Sequence, residues 1–271
     1  MIVDTEILLR KIDEMCAGIG MDTSGTNVVW SLPIVGVRAR VSRYQSLLLN
    51  VVGLAELTAT EADAVIAEVI DKYRAAGKIF GWLVGPTSRP ADLGERLLAA
   101  GLVRVDDESM LGMVLYDLNR QISINPRIHV QEVSLIEWKR KASMIAQSYG
   151  FGMTPEVAQS MVDFYESLGQ RAHAYFAYDS QQMNPIAFAG MVYDDSGSVV
   201  LLGGAATAQQ YRGQGIYASM VAQRLSDARR AGAQVAIVQA VKGTSAPICA
   251  RLGFEAVCEI NVYGYLSSKE P

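Results

Sequence analysis

The chain has 271 residues, 50% apolar and 19% charged, so it can bury enough surface to offset chain entropy, in one large core or two small ones. Lys and Arg number 24 against 28 Asp and Glu, a net charge of −4, which supplies no basic field for a nucleic acid. Three cysteines and two histidines are too few for a disulfide framework or a zinc site, so a reduced, metal-free protein is expected.

Asp4 and Glu6 stand where a signal peptide would carry Lys or Arg, and a cytoplasmic location is expected. Ile7, Leu8, Ile12, Met15 and Ile19 then recur at helical spacing before Gly18 and Gly20. An irregular stretch, Asp22 to Asn27, precedes strands near Val28 to Leu32 and Leu47 to Leu54. Thr58 and Glu61 form a capping-box pattern for a helix with Val65, Ile66, Val69, Ile70 and Tyr73 on one face and Gly77 at its end. A strand Ile79 to Val84, the turn Gly85-Pro86-Thr87-Ser88, a short helix to Ala100 and a strand Met110 to Leu118 complete a first domain, 1–118.

The polar segment 119–127, with Asn125-Pro126, reads as a linker to a second domain, 128–271. Its strand Ile128 to Val133 leads to two helices, opened by the Ser134/Glu137 capping box and by Thr154-Pro155. Strands His173 to Tyr178, Ile186 to Tyr193 and Val199 to Ala206 follow as antiparallel neighbours. Next come an amphipathic helix with Ile216, Met220, Val221, Leu225 and Ala228 inward, a strand Val235 to Val241, a helix Ala246 to Leu252, and strands Phe254 to Val257 and Ile260 to Tyr265. The apolar runs are far shorter than the roughly 20 residues of a membrane-spanning helix.

The halves repeat one another. Tyr73 to Gly77 followed by Thr87-Ser88-Arg89-Pro90 parallels Ala228 to Gly232 followed by Thr244-Ser245-Ala246-Pro247, and each turn leads to a short helix closing on Gly101-Leu102 or Gly253-Phe254. A duplicated unit is expected.

The stretch that carries chemistry runs from Leu201 to Tyr217: a buried strand, a polar turn, then Arg212-Gly213-Gln214-Gly215 at the mouth of a helix. Glycines there leave room for an anion, and the unpaired N–H groups of the helix's first turn can hold a diphosphate. Arg212-Gly213-Gln214-Gly215-Ile216-Tyr217 resembles the acyl-CoA loop of the GNAT N-acetyltransferase family, Arg/Gln-x-x-Gly-x-Gly/Ala, with Tyr217 departing at the last position. From Ile128 to Tyr265 the element order is also similar, and Arg251-Leu252-Gly253-Phe254 resembles the family's closing Leu-Gly-Phe.

The resemblance implies a mixed α+β sheet of the acyl-CoA N-acyltransferase fold, in tandem, with the first copy degenerate. It implies acetyl-CoA as co-substrate, held by Ala205, Ala206, Thr207, Arg212, Gly213, Gln214, Gly215, Ile216, Tyr217, Thr244 and Ser245. The family's tyrosine acid falls on Cys249, which is a proton donor or a packing residue; Tyr263, Tyr265 and Tyr217 are substitutes. Glu132, Tyr193 and Asp194 are the conceivable bases.

In the first half, Ala55-Glu56-Leu57 offers neither the Arg nor the glycines, and Gly81 to Pro90 either walls the acceptor site or is an ordinary strand entering a turn. The expected activity is acetyl transfer to an amine of a small acceptor, by direct attack in a ternary complex. The alternative is a non-catalytic acyl-CoA-binding regulatory module. Neither nucleic acid nor membrane is an expected partner, and a homodimer is compatible with either reading.

Overall fold

The computed structural model describes residues 4–21, 29–47, 49–105, 109–149, 154–180 and 184–266; the irregular stretch expected at Asp22 to Asn27 lies outside them. In chain order the elements begin with α1 (Thr5–Met15), β1 (Val29–Leu32), β2 (Arg38–Ser42), β3 (Val51–Gly53), α2 (Ala62–Ala75), β4 (Phe80–Val84), α3 (Leu93–Ala99), β5 (Val103–Arg104) and β6 (Met110–Leu115). There follow β7 (Ile128–Val133), α4 (Leu135–Arg140), α5 (Ala142–Tyr149), α6 (Pro155–Ser167), β8 (Ala172–Asp179), β9 (Ala187–Tyr193), β10 (Val199–Leu201) and β11 (Ala206–Thr207). The last are α7 (Ile216–Arg230), β12 (Val235–Val241), α8 (Ser245–Arg251) and β13 (Glu255–Tyr265). No helix among the described residues is long and apolar enough to cross a membrane.

These elements form two compact units, and the division differs from the expected cut at 119–127. The first unit takes 1–113 together with 239–248 and 256–271; the second takes 114–238 and 249–255. The physical reason is β13, whose Asn261 to Tyr265 pair antiparallel with Val84 to Phe80 of β4, so the last strand completes the first unit's sheet. The expected linker belongs to the second unit, where the Asn125 backbone N–H donates to Ser219 Oγ at 3.2 Å.

In the first unit, β1–β2 and β2–β3 are antiparallel, β3–β4 is parallel across α2, and β13 runs antiparallel to both β4 and β5. The parallel pair needs a crossover, and α2 supplies it with Ile66, Val69, Ile70 and Tyr73 inward, on Val52, Phe80 and Trp82. The Tyr73 hydroxyl is buried there and donates to the carbonyls of Arg40 (2.6 Å) and Val51 (3.2 Å). The capping box closes as expected: Thr58 N–H donates to Glu61 Oε2 at 3.1 Å and Glu61 N–H to Thr58 Oγ1 at 3.3 Å.

The second unit repeats the pattern. β7–β8, β8–β9 and β9–β10 are antiparallel, and β10–β12 is parallel across α7. Three helices, not two, separate β7 from β8, with Trp138 of α4 edge-on to Tyr165 of α6 and Phe188 of β9. The repeat extends to the helix stops. Gly77, Gly232, Gly101 and Gly253 all have positive φ (63°, 94°, 91° and 99°). In each case the next N–H reaches back five residues: Lys78 to Tyr73, Ala233 to Ala228, Leu102 to Leu97, Phe254 to Cys249. Four Schellman closures at matching places are what a duplicated strand–helix–strand–helix module predicts.

Candidate functional site

The expected single strand Val199 to Ala206 is broken. β10 ends at Leu201, Leu202 N–H still donates to Ile237 O of β12 at 2.9 Å, and β11 then pairs with β9 alone. At the break the Gly190 N–H is shared by the carbonyls of Gly203 (3.0 Å) and Gly204 (3.2 Å), and Gly204 adopts φ 50°. This bulge frees one edge of β11 from any strand partner. Tyr165 crowds these glycines: a Cβ on Gly190 would lie 2.5 Å from its hydroxyl, and those on Gly203 and Gly204 at 3.2 and 3.1 Å.

Beyond β11 the chain makes a cradle. Gly213 and Gly215 sit at φ 77° and 73°, and Gly215 caps α7 without a side-chain bond. A Cβ on Gly213 would meet nothing within 4 Å, so conformation rather than space selects glycine there. None of the N–H groups from Gly213 to Ala218 donates to a group among the described residues, and the first turn of α7 carries no acid. Donors without an acceptor at the positive end of a 15-residue helix favour an anion. The corresponding link in the first unit is closed: Glu56 N–H donates to Gly36 O at 2.8 Å and Leu57 N–H to Arg89 O at 3.4 Å.

The structure assigns several expected residues to different tasks. Arg212 folds back, its Nε donating to Thr207 O (3.1 Å) and its Nη2 to Ser148 O at the end of α5 (3.0 Å), so its guanidinium braces the loop. Asn125 Nδ2 donates to Gln214 O at 2.9 Å from the other side. Ile216 is buried, leaving its N–H as its contribution, while the partly exposed Tyr217 turns its hydroxyl to 3.5 Å from Cys249 Sγ. Ala205, Ala206 and Thr207 lie at or beside the open edge of β11; Thr244 and Ser245 are in the first unit, at the turn entering α8.

Of the catalytic candidates, Cys249 is fully buried, and burial pushes its thiol up. Tyr263 is in the first unit's core, 6% exposed, with its hydroxyl 2.3 Å from where a Cβ on Gly94 would stand. Tyr265 is also in the first unit, stacked on Phe80 and accepting from Arg74 Nε at 3.2 Å. Tyr193 pairs with Val200 and Ala187 with Thr207, so Tyr193 and Asp194 lie some six residues, about 20 Å, down β9 from the cradle's side. Asp194 serves its hairpin, accepting from Val199 N–H at 3.1 Å. Glu132 is held by His173 Nδ1 at 2.6 Å on β7, three strands from β11, about 14 Å. Among the described residues no group of three His, Cys, Asp or Glu could hold a metal.

Two residues passed over in the sequence matter here. Arg224 of α7 is completely buried, yet it shares the Tyr217, Val221, Ala228 face, and that spacing was its only signal. Tyr165 had none, because its role depends on glycines distant in sequence.

No family model and no curated protein matches the chain. Solved structures do. The chain is similar to a GCN5-related N-acetyltransferase from Kribbella flavida, with TM-score 0.67, 14% identity, and coverage of 94% of this chain and 97% of that one. It is similar to a functionally unknown conserved protein from Staphylococcus epidermidis (TM-score 0.64, 13% identity, 90% and 95% covered). It is also similar to a tandem GNAT protein from the clavulanic acid biosynthesis pathway (TM-score 0.62, 13% identity, 97% and 95% covered). At such identities the likeness shows the fold: a mixed α+β GNAT architecture in tandem, as the resemblance implied.

Proposed function

We propose that the chain is an acetyl-CoA-dependent N-acetyltransferase that acetylates an amine of a small acceptor in a ternary complex. The observation that carries the proposal is the cradle, where two left-handed glycines and six consecutive N–H groups with no acceptor among the described residues stand at the mouth of α7 in one unit while the matching link of the other unit is internally satisfied. The N–H groups of 213–218 would hold the diphosphate, and the open edge of β11 would receive the pantetheine amides. A bound thioester supplies an activated acetyl group for attack by the amine. A backbone N–H at Ala205 to Thr207, aimed at the thioester carbonyl, would stabilise the oxyanion as it forms, typically worth about 3 kcal/mol for one donor. Net charge decides nothing about the acceptor.

The burial of Cys249 and the distance of the carboxylate candidates favour a second reading, a non-catalytic acyl-CoA-binding module. Calorimetric titration with CoA and thiol release from acetyl-CoA over a panel of amines separate the two. Binding with amine-dependent release supports the enzyme; tight binding without release on any amine supports the module; no binding overturns both.

A further inference from the structure

The helix behind the cradle carries a buried cation with no anion. Arg224 has none of its surface exposed, and no carboxylate among the described residues pairs with it. Asp227, on the same helix, accepts instead from the Tyr175 hydroxyl at 3.0 Å, from Gln223 and from Arg230. An ion alone in the interior is costly, and an apolar side chain of similar volume is often no worse for stability, so stability does not account for this residue.

Its two hydrogen bonds do. Nε donates to Met220 O at 3.2 Å, one turn back on its own helix, and Nη1 to Gly190 O of β9 at 2.8 Å, while Nη2 makes no hydrogen bond. The planar guanidinium is thus a strut between two main chains, α7 on one side and β9 on the other. Each end is tied to one part of the ligand site. Gly190 is the residue whose N–H is shared by the carbonyls of Gly203 and Gly204 at the break before β11, and the side where it would carry a Cβ is taken by the Tyr165 hydroxyl. From Arg224, α7 runs without interruption back to Ile216 at the mouth of the cradle, about 12 Å along the helix. The apolar residues that α7 buries, Met220, Val221 and Leu225 among them, hold it against the sheet but do not fix where it stands along the sheet, whereas a hydrogen bond has direction. Another polar tie, the Tyr175 hydroxyl to Asp227, reaches β8, one strand farther from the break.

We infer that Arg224 is a positioning residue for the co-substrate: it sets α7, and with it the N–H groups of 213–218, in register with the open edge of β11, so that one CoA molecule places its diphosphate and its pantetheine together. This rests on the acetyltransferase reading. A ligand of two linked parts gains over either part only where the spacing of the two sites matches its own length, and it is weakened when that spacing drifts even though each site stays intact. The buried charge is therefore kept for geometry.

The test compares the whole ligand with its parts. CoA, ADP and pantetheine are titrated calorimetrically into the full chain as wild type, Arg224→Met and Arg224→Lys. Loss of the strut should weaken CoA by about tenfold or more, while ADP, whose diphosphate needs the cradle alone, stays within about twofold. Lys keeps the buried charge but lacks the planar fork that spans both carbonyls, so it should follow Met; wild-type CoA affinity in Arg224→Lys would show that charge suffices and overturns the strut. Unchanged CoA affinity in Arg224→Met overturns the inference, and so do equal losses of CoA and ADP, the result of a merely structural role. Wild type supplies a measurement that does not depend on either variant folding. With the register already set, saturating ADP should leave pantetheine affinity unchanged, and a several-fold gain would show that the ligand sets the register, which also overturns the inference. Failure of wild type to bind both CoA and ADP instead overturns the acetyltransferase reading beneath it.

Discussion

Replacing Gly213 probes the cradle without disturbing its surroundings, because an added Cβ meets nothing within 4 Å. The cost is therefore conformational. At φ 77° a residue with a Cβ loses about 1–2 kcal/mol, Asn less, and a β-branched side chain more. A substituted loop that relaxes out of this conformation must regain it when the N–H groups converge on a ligand, so the penalty is expected in affinity. A loss of 1–2 kcal/mol lowers CoA affinity by roughly 5- to 30-fold. The series Gly213→Asn, Gly213→Ala, Gly213→Val should weaken CoA binding in that order in titration calorimetry, while the melting temperature of the free protein changes little. Wild-type affinity in Gly213→Val, or equal losses in Asn and Val, would refute the claim that a left-handed backbone is what the ligand needs.

Arg212→Ala removes the donors to Thr207 O and Ser148 O, and CoA affinity should fall while its dependence on salt persists, since the guanidinium is not the phosphate ligand; loss of that dependence in a salt series would show the opposite. Gly190→Ala forces a Cβ to within 2.5 Å of the Tyr165 hydroxyl and should cost about 1–3 kcal/mol by thermal or denaturant unfolding, with Tyr165→Leu restoring part of it in a double-mutant cycle. Burial raises the Asp13 carboxyl above its ordinary range although Thr87 N–H donates to it at 2.8 Å. With the folded value above the unfolded one, Asp13 penalises folding at neutral pH, and the penalty lifts as pH falls through the folded value. Asp13→Asn should therefore be neutral or stabilising at pH 7 and should flatten the change in melting temperature between about pH 7 and pH 4.

What the sequence discloses is whatever a single residue type enforces locally. The glycines of the helix stops and of the cradle mark backbone that other residues adopt only with strain, so the repeat and the loop are legible together. Strand β2 is not, because Arg38-Ala39-Arg40-Val41-Ser42, although it alternates, holds only two apolar residues over five positions. Arg40 is nonetheless buried, its Nη1 and Nη2 donating to the carbonyls of Gly18 and Ala17 at 3.2 and 2.6 Å. The break between β10 and β11 hides inside an apolar run, since it is dictated by Tyr165 approaching from α6. Arg224 was passed over because a charge on a helix is assumed to face water. The division into units escaped because pairing of β13 with β4 joins segments far apart in sequence, which periodicity does not report.

That pairing bears on biosynthesis. As the polypeptide leaves the ribosome, β4 emerges long before its β13 neighbour, so a sticky strand margin stays uncovered throughout translation of the intervening residues. Severing the polypeptide at residues 119–127 would therefore deprive the N-terminal fragment of its final strand, and the two fragments should become soluble when co-expressed more readily than when either is made alone.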